Sequence, residues 1–151
     1  MIYIAHRGLI DGPDKKLENH PNQIRQSLDA GYDCEIDFWC LEFPSHRRYY
    51  LGHDRPDYEV EWDFFHQSGL WIHAKNVAAL YVLTQSDKKL NYFWHQEDDF
   101  TLTSNGYLWT YPGKQLTDRS ICVLPERFTP NLTEFNENCF GVCSKYVNLM
   151  K

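Results

Sequence analysis

Eight short runs rich in β-branched and aromatic residues recur along a chain of 151 residues, and what separates them limits the fold more than anything else in the sequence. They are Ile2–Ala5, Cys34–Phe38, Tyr49–Gly52, Leu70–His73, Asn91–Trp94, Tyr107–Tyr111, Ser120–Leu124 and Phe140–Cys143. Helical segments fit between the early runs. His20–Ala30 carries Pro21 at a tolerated early position and Gly31 as a stop, and Val60–Gln67 and Val77–Thr84 are two more. Strand, helix, strand, strand, helix, strand, helix is an α/β opening. After Trp94 the spacing changes. Gln96–Asp99, Ser104–Gly106 and Pro112–Thr117 are too short or too polar for a crossover of the usual dozen or more residues. There the sheet either turns antiparallel or is joined by bare loops. One short helix is expected within Asn131–Asn138, starting at Asn131 or Thr133.

The length allows one domain, residues 1–151, and 42% hydrophobic residues suffice to bury its core. Fifteen Lys+Arg against twenty-one Asp+Glu, a formal charge of −6, argue against a nucleic-acid partner. Any phosphate must therefore be met by a few placed cations or a metal. No run approaches the roughly 20 apolar residues of a membrane span. The first residues lack a secretory leader, so the expected compartment is the cytoplasm. Five cysteines with no Cys-x-x-Cys pair read as reduced, buried, small hydrophobes.

Four strand ends in succession carry chemistry-bearing residues. The first runs into His6-Arg7-Gly8, a place where a parallel sheet meets its ligands and where a phosphate is invited. Glu35 and Asp37 share one face of the second at a strand period of two. Two adjacent interior carboxylates repel unless a cation lies between them, and a hard divalent ion suits an all-oxygen pair. Gly52-His53-Asp54 closes the third, with a small residue before the imidazole; His73 and Lys75 repeat the i, i+2 arrangement at the fourth. Together they offer two histidines for proton transfer, carboxylates for a cation, and Arg and Lys for an oxyanion.

The ordered set His6-Arg7-Gly8, Glu18-Asn19, Gly31-Tyr32-Asp33-Cys34-Glu35-Ile36-Asp37 and Gly52-His53-Asp54 resembles the N-terminal half of the glycerophosphodiester phosphodiesterase family. These are phospholipase-C-like phosphodiesterases on a TIM barrel, and the resemblance covers residues 2 to 76, about half the chain. It implies that His6 and His53 form the acid–base pair, that Arg7 grips the phosphoryl oxygens with help from Lys75, and that Glu35 and Asp37 ligate a metal. Glu18 and Asn19 match the family's Glu-Asn pair beside the site. Two residues before Lys75 the family usually has a carboxylate; here it is His73, the third candidate ligand. Mg²⁺ or Ca²⁺ is the expected cofactor, and Mn²⁺ or Zn²⁺ accepts an imidazole more readily. Leu17 replaces the family's usual proline, and Pro44-Ser45 stands where a Thr-x-Asp-Gly turn is common.

A full eightfold barrel usually takes about 250 residues. The resemblance and the strand count therefore predict a minimal (β/α)8 TIM-like barrel with several outer helices missing in the C-terminal half. The expected activity is that of a metal-dependent phosphoric diester hydrolase. It would cleave a small soluble glycerophosphodiester-like substrate by histidine acid–base chemistry, through a cyclic phosphate. The alternative is a non-catalytic barrel that binds a phosphorylated ligand, its metal site impaired by His73. Beyond residue 76, His95, Gln96, Glu126 and Lys145 fall where substrate would be met, and Trp109 and Tyr111 share a strand face that could wall a pocket. Strand faces without covering helices also predict self-association.

Overall fold

The longest strand, β2 (Asp33–Glu42), organises the sheet because its two edges serve three partners. The computed structural model describes residues 1–151. On one edge, Cys34–Phe38 pair in parallel with β5 (Leu70–Ala74). On the other, Asp33–Glu35 pair in parallel with β1 (Ile2–His6), and Phe38–Glu42 pair antiparallel with β3 (Arg47–Leu51). β3 therefore sits above β1 as the return arm of a hairpin, and β4 (Tyr58–Val60) continues it antiparallel. From β5 the sheet runs on to β6 (Tyr92–Phe93); from β1 it runs in parallel to β10 (Gly141–Ser144), β9 (Ser120–Val123) and β8 (Leu108–Thr110). β7 (Phe100–Leu102) closes that end antiparallel to β8.

All ten strands belong to one curled, mixed sheet, a half-barrel with two α-helices, α1 (Pro21–Asp29) and α2 (Val77–Thr84). The predicted minimal (β/α)8 TIM-like barrel is thus corrected: strands and helices do not alternate. Three physical reasons account for the difference. Tyr49–Gly52, expected among the eight barrel strands, is a hairpin arm of β2, since only Phe43–His46 separate the two. The expected helix at Val60–Gln67 is a 3-10 turn, Trp62–His66. Its first residue lacks a side-chain cap, Gln67 is already extended, and Gly69 follows at φ 86°. The long connection from Leu124 to Phe140 forms only the 3-10 turns Pro125–Arg127 and Leu132–Glu134, and from β6 to β9 the connections are too short for helices. The chain uses both devices open to it there, the β7–β8 hairpin and a bare loop from Tyr111 to Arg119 leading into parallel β9.

The two ends of the curl are tied without a strand ladder. Ser104 N donates to Tyr92 O at 2.8 Å, Thr101 Oγ1 donates to Trp94 O at 2.8 Å, and Phe93 stacks on Trp109 with ring centres 4.5 Å apart. Strand alternation then separates two cores. Ile4, Trp71, Phe93, Trp109, Ile121, Val123 and Cys143 fill the concave side. Ala5, Cys34, Ile36, Phe38, Ile72 and Ala74 face outwards beneath α1, α2 and the aromatic pair Phe64 and Phe65. Fully burying a side chain such as Phe38 or Phe65 contributes about 1.5–3 kcal/mol.

Both helices form where the sequence marks them. His20 Nδ1 accepts from Asn22 N at 3.2 Å, Pro21 opens α1, and Ile24 and Ser27 turn one buried face to the sheet. Asn76 caps α2 through Ala79 N and also bonds Cys40 N and Cys40 O, fastening the helix to β2. Asn131 caps the short 3-10 turn Leu132–Glu134 within the segment expected to be helical. The five cysteines are free, and four of them are buried. No helix is long and apolar enough to cross a membrane.

Candidate metal and phosphate site

The inner face of the curl gathers its histidines and two of its carboxylates towards the carboxyl ends of its parallel strands, while Asp33, at the amino end of β2, is bonded by the Trp71 indole at 2.9 Å. His6 ends β1, Glu35 and Asp37 lie on β2, and His73 lies on β5; each has the parity of the concave side. Parallel pairing sets His6 beside Glu35 and Asp37 beside His73. A cavity of about 310 Å³ opens above them and is lined by His6, Arg7, Glu35, Asp37, His53, His73 and Lys75 from the first half of the chain. His95, Gln96, Trp109, Tyr111, Pro112 and Arg127 complete its wall from the second half. A larger cleft of about 1050 Å³ lies beside the Trp62–His66 turn, but its charged residues, Asp63, Asp87, Lys88 and Lys89, are all exposed.

Each side chain is positioned by its own local structure. Arg7 turns through φ 56° and Gly8 through φ 78°. α1 holds that turn from behind, with Ser27 Oγ and Gln23 Nε2 donating to Gly8 O at 2.7 and 3.0 Å. Asn19, wholly buried at φ 57°, locks the turn to β2. Its N–H donates to Arg7 O at 3.0 Å, its amide NH₂ to Asp37 Oδ2 at 2.9 Å, and its Oδ1 accepts from Asp37 N at 2.9 Å. His53 follows Gly52, whose N–H donates to Asp37 O and whose carbonyl accepts from the Trp39 indole at 2.6 Å. A Cβ at Gly52, where φ is 153°, would lie 2.0 Å from Arg55 O, so only glycine fits this approach. Three non-glycine residues adopt positive φ, Arg7, Asn19 and Leu124, and all three stand at this site. Strain concentrated in this way is characteristic of functional sites.

Asp37 is the electrostatic centre. Its Oδ2 meets Arg7 Nε at 3.2 Å and His53 Nδ1 at 3.3 Å; its Oδ1 meets His73 Nδ1 at 3.2 Å and Lys75 Nζ at 3.6 Å. Burial alone would raise its pKa, yet the bonds from His53 and His73 and the charge of Arg7 hold it well below the usual range. Glu35 goes the other way. Burial first, then repulsion from Asp37, push it up to about 8, although its Oε2 accepts from Arg7 N at 3.1 Å. Burial, reinforced by Arg7, lowers His6 well below 6.5, which keeps the ring neutral; its Nδ1 is buried without a partner.

The donor set fits a divalent cation. His73 Nε2 lies 2.8 Å from His95 O, and a carbonyl only accepts, so Nε2 carries the proton. Nδ1 faces Asp37 Oδ1 at 3.2 Å and Glu35 Oε1 at 3.9 Å: with both ring nitrogens protonated it donates to Asp37, and in the neutral ring the same atom presents a lone pair that a cation between the carboxylates would take up. One ligand atom from each of Glu35, Asp37 and His73 lies within 4.8 Å of the others, a spacing that ordinary bonds of roughly 2.0–2.6 Å can span. The backbone carbonyl on the far side of the imidazole also matches the way histidine ligands are oriented. Zinc or manganese suits this mixed set better than magnesium or calcium.

Glu18 lies behind the cations. Its Oε2 accepts from Arg7 NH1 at 3.1 Å and its Oε1 from Lys145 Nζ at 2.6 Å. Burial would raise its pKa, but Lys145 and Arg7 together lower it below the ordinary 4.5. A lowered folded pKa means stability that is fully present above 4.5 and is lost as pH falls through the folded value. Glu18→Gln is therefore expected to flatten the acid limb of stability against pH, read as urea midpoints between neutrality and pH values below 4.5.

All nine site residues expected from the sequence, His6, Arg7, Glu18, Asn19, Glu35, Asp37, His53, His73 and Lys75, converge here. Of the later candidates, His95 and Gln96 line the cavity, with Trp109 and Tyr111 as its aromatic wall. Glu126 and Lys145 do not line it: Glu126 accepts from Ser144 Oγ and Lys145 N, and Lys145 turns to Glu18. Arg127 stands in the Pro125-Glu126-Arg127 cluster after β9, from which the sequence singled out Glu126; its position four residues past the end of the strand, two after a proline, is the signal there. No protein-family model, curated protein or solved structure matches this chain.

Proposed function

We propose that the protein is a metal-dependent phosphodiesterase of the glycerophosphodiester phosphodiesterase type, acting on a small soluble diester. The observation that carries the reading is the meeting, in one cavity, of a cation-ready Glu35–Asp37–His73 cluster with Arg7, Lys75, His6 and His53. A metal bound by that cluster would supply positive charge to a phosphoryl oxygen. Arg7 and Lys75 add two fixed cations beside it, where developing charge is best offset. A chain of net charge −6 needs such a local cluster to draw in an anion.

The histidines divide the proton work. His6, held neutral by burial, takes the proton of a hydroxyl adjacent to the diester as its oxygen bonds to phosphorus. His53, whose Nδ1–H is oriented by Asp37, gives a proton to the departing alcohol oxygen as the old P–O bond breaks. The products are a cyclic phosphate and a free alcohol; water then opens the ring to complete hydrolysis. Phosphorus NMR of a glycerophosphodiester panel tests the reading. Cleavage that disappears with chelator and returns with Mn²⁺, Zn²⁺, Mg²⁺ or Ca²⁺ is the expected result. No turnover with any of these ions would overturn the enzyme and leave the binding-only alternative.

Five free cysteines support a reducing compartment such as the cytoplasm. Exposed Phe100 and Leu102 on the outermost strand β7 support self-association.

A further inference from the structure

The cations of the cavity fall into two groups. Arg7 and Lys75, on the side of β1 and β5, are committed to Glu18 and Asp37. Arg127, which lines the same cavity from the turn after β9, has no carboxylate partner and no side-chain hydrogen bond. Its neighbour Glu126 is turned away, held by Ser144 Oγ at 2.8 Å and by Lys145 N at 3.1 Å. The Pro125–Arg127 turn starts from Leu124, which carries φ 47°, so the chain spends backbone strain at the point that sets Arg127 at the mouth. The only carboxylates lining the cavity are Glu35 and Asp37, both buried at its floor. The rest of the lining from the second half of the chain is His95, Gln96, Trp109, Tyr111, Pro112, Val123 and Leu124, which offer polar donors, aromatic faces and apolar contact and no negative charge.

We infer that Arg127 forms an anion subsite separate from the phosphoryl position, selecting diesters in which one alcohol carries a carboxylate. This rests on the phosphodiesterase reading for the phosphoryl position and deepens it by naming the substrate class. The guanidinium fork meets a carboxylate through two parallel hydrogen bonds, and a cation with no competing carboxylate is free to do so. The aromatic wall of Trp109 and Tyr111 covers the apolar part of the same alcohol.

Glycerophosphoserine and glycerophosphoethanolamine test this, because they differ only in the carboxylate. Binding is followed by intrinsic tryptophan fluorescence, since Trp109 lines the cavity, and cleavage by phosphorus NMR, for the unaltered protein and for Arg127→Gln. The expected result is a preference of about tenfold for the serine diester, the size of one charge-assisted hydrogen bond, and its loss in Arg127→Gln with ethanolamine-diester affinity unchanged. Equal affinity for the two diesters, no binding of either, or an Arg127→Gln variant that weakens both equally would overturn the subsite; the last would place Arg127 on the shared phosphate. The phosphodiesterase reading fails separately: a serine preference abolished by Arg127→Gln, with neither diester cleaved, supports the subsite and removes the enzyme. Arg127 is exposed, so the variant is expected to fold, with circular dichroism and melting temperature as the check.

Discussion

Asp37→Ala is expected to cost about 3–5 kcal/mol of stability, a fall in melting temperature on the order of 10 °C for a chain of this size. The reason is the number of donors that one buried carboxylate satisfies. Arg7 Nε, Lys75 Nζ, His53 Nδ1 and the Asn19 amide all converge on it, with His73 Nδ1 at 3.2 Å, and its side chain is 1% exposed. Removing it leaves mostly buried cations without a counter-charge, and that penalty, rather than the lost contacts, dominates. Asp37→Asn should fall between, because the amide oxygen still accepts while the charge is gone. The pair Arg47–Glu42 is a control: at 41% and 51% exposure its removal is expected to cost no more than about 1 kcal/mol. Urea unfolding of the three variants reads the difference. An Asp37→Ala protein within about 1 kcal/mol of the unaltered one would mean that the network is solvated and contributes little.

The largest kinetic effect is expected at His53. His53→Ala should lower diester cleavage by about 10²–10⁴-fold, the usual contribution of a placed general acid, while leaving the melting temperature almost unchanged. The second half of that statement follows from exposure. The His53 side chain is 38% exposed, so its loss opens no cavity. His6→Ala should lower the rate to a similar degree and also destabilise, since His6 is buried between β1 and Glu35. The two variants therefore separate chemistry from packing. Unchanged cleavage by His53→Ala on the glycerophosphodiester panel would remove His53 from the reaction.

How far the site could be read in the sequence depends on the range of the interactions. Glu35 and Asp37 share a face because strand residues alternate, a local rule that needs no knowledge of neighbours. The His6-Arg7-Gly8 and Gly52-His53 turns were visible for the same reason: glycine and a strand end mark them within a few residues. Asn19 could be placed beside the site but not given its task. That it bonds Asp37 by both amide atoms depends on the turn after β1 folding back over β2. The role of Lys145 was out of reach, because its partner Glu18 is 127 residues away along the chain.

The fold divides in the same way. All eight strand runs and both α-helices were written in period, capping and punctuation, while the start of the last short turn lay open between Asn131 and Thr133 until Asn131 proved to be the cap. Edge pairing was legible only in part. The short connection before Tyr49 pointed to a hairpin that the barrel reading overrode, and the short strands Tyr58–Val60 and Phe100–Leu102 have no alternation of their own to reveal them. They exist because a free sheet edge beside them offers backbone partners.

By itself, the sequence determined the elements, the shared face of the two carboxylates and the residue types that could meet a metal and a phosphate. Only the tertiary structure decided that the sheet curls without alternating helices, that His73 aims its Nδ1 between those carboxylates, and that Arg127 faces the cavity without a partner. The first set follows from bonds and sterics within a few residues. The second depends on contacts between distant segments, whose register is settled only when the whole concave core packs.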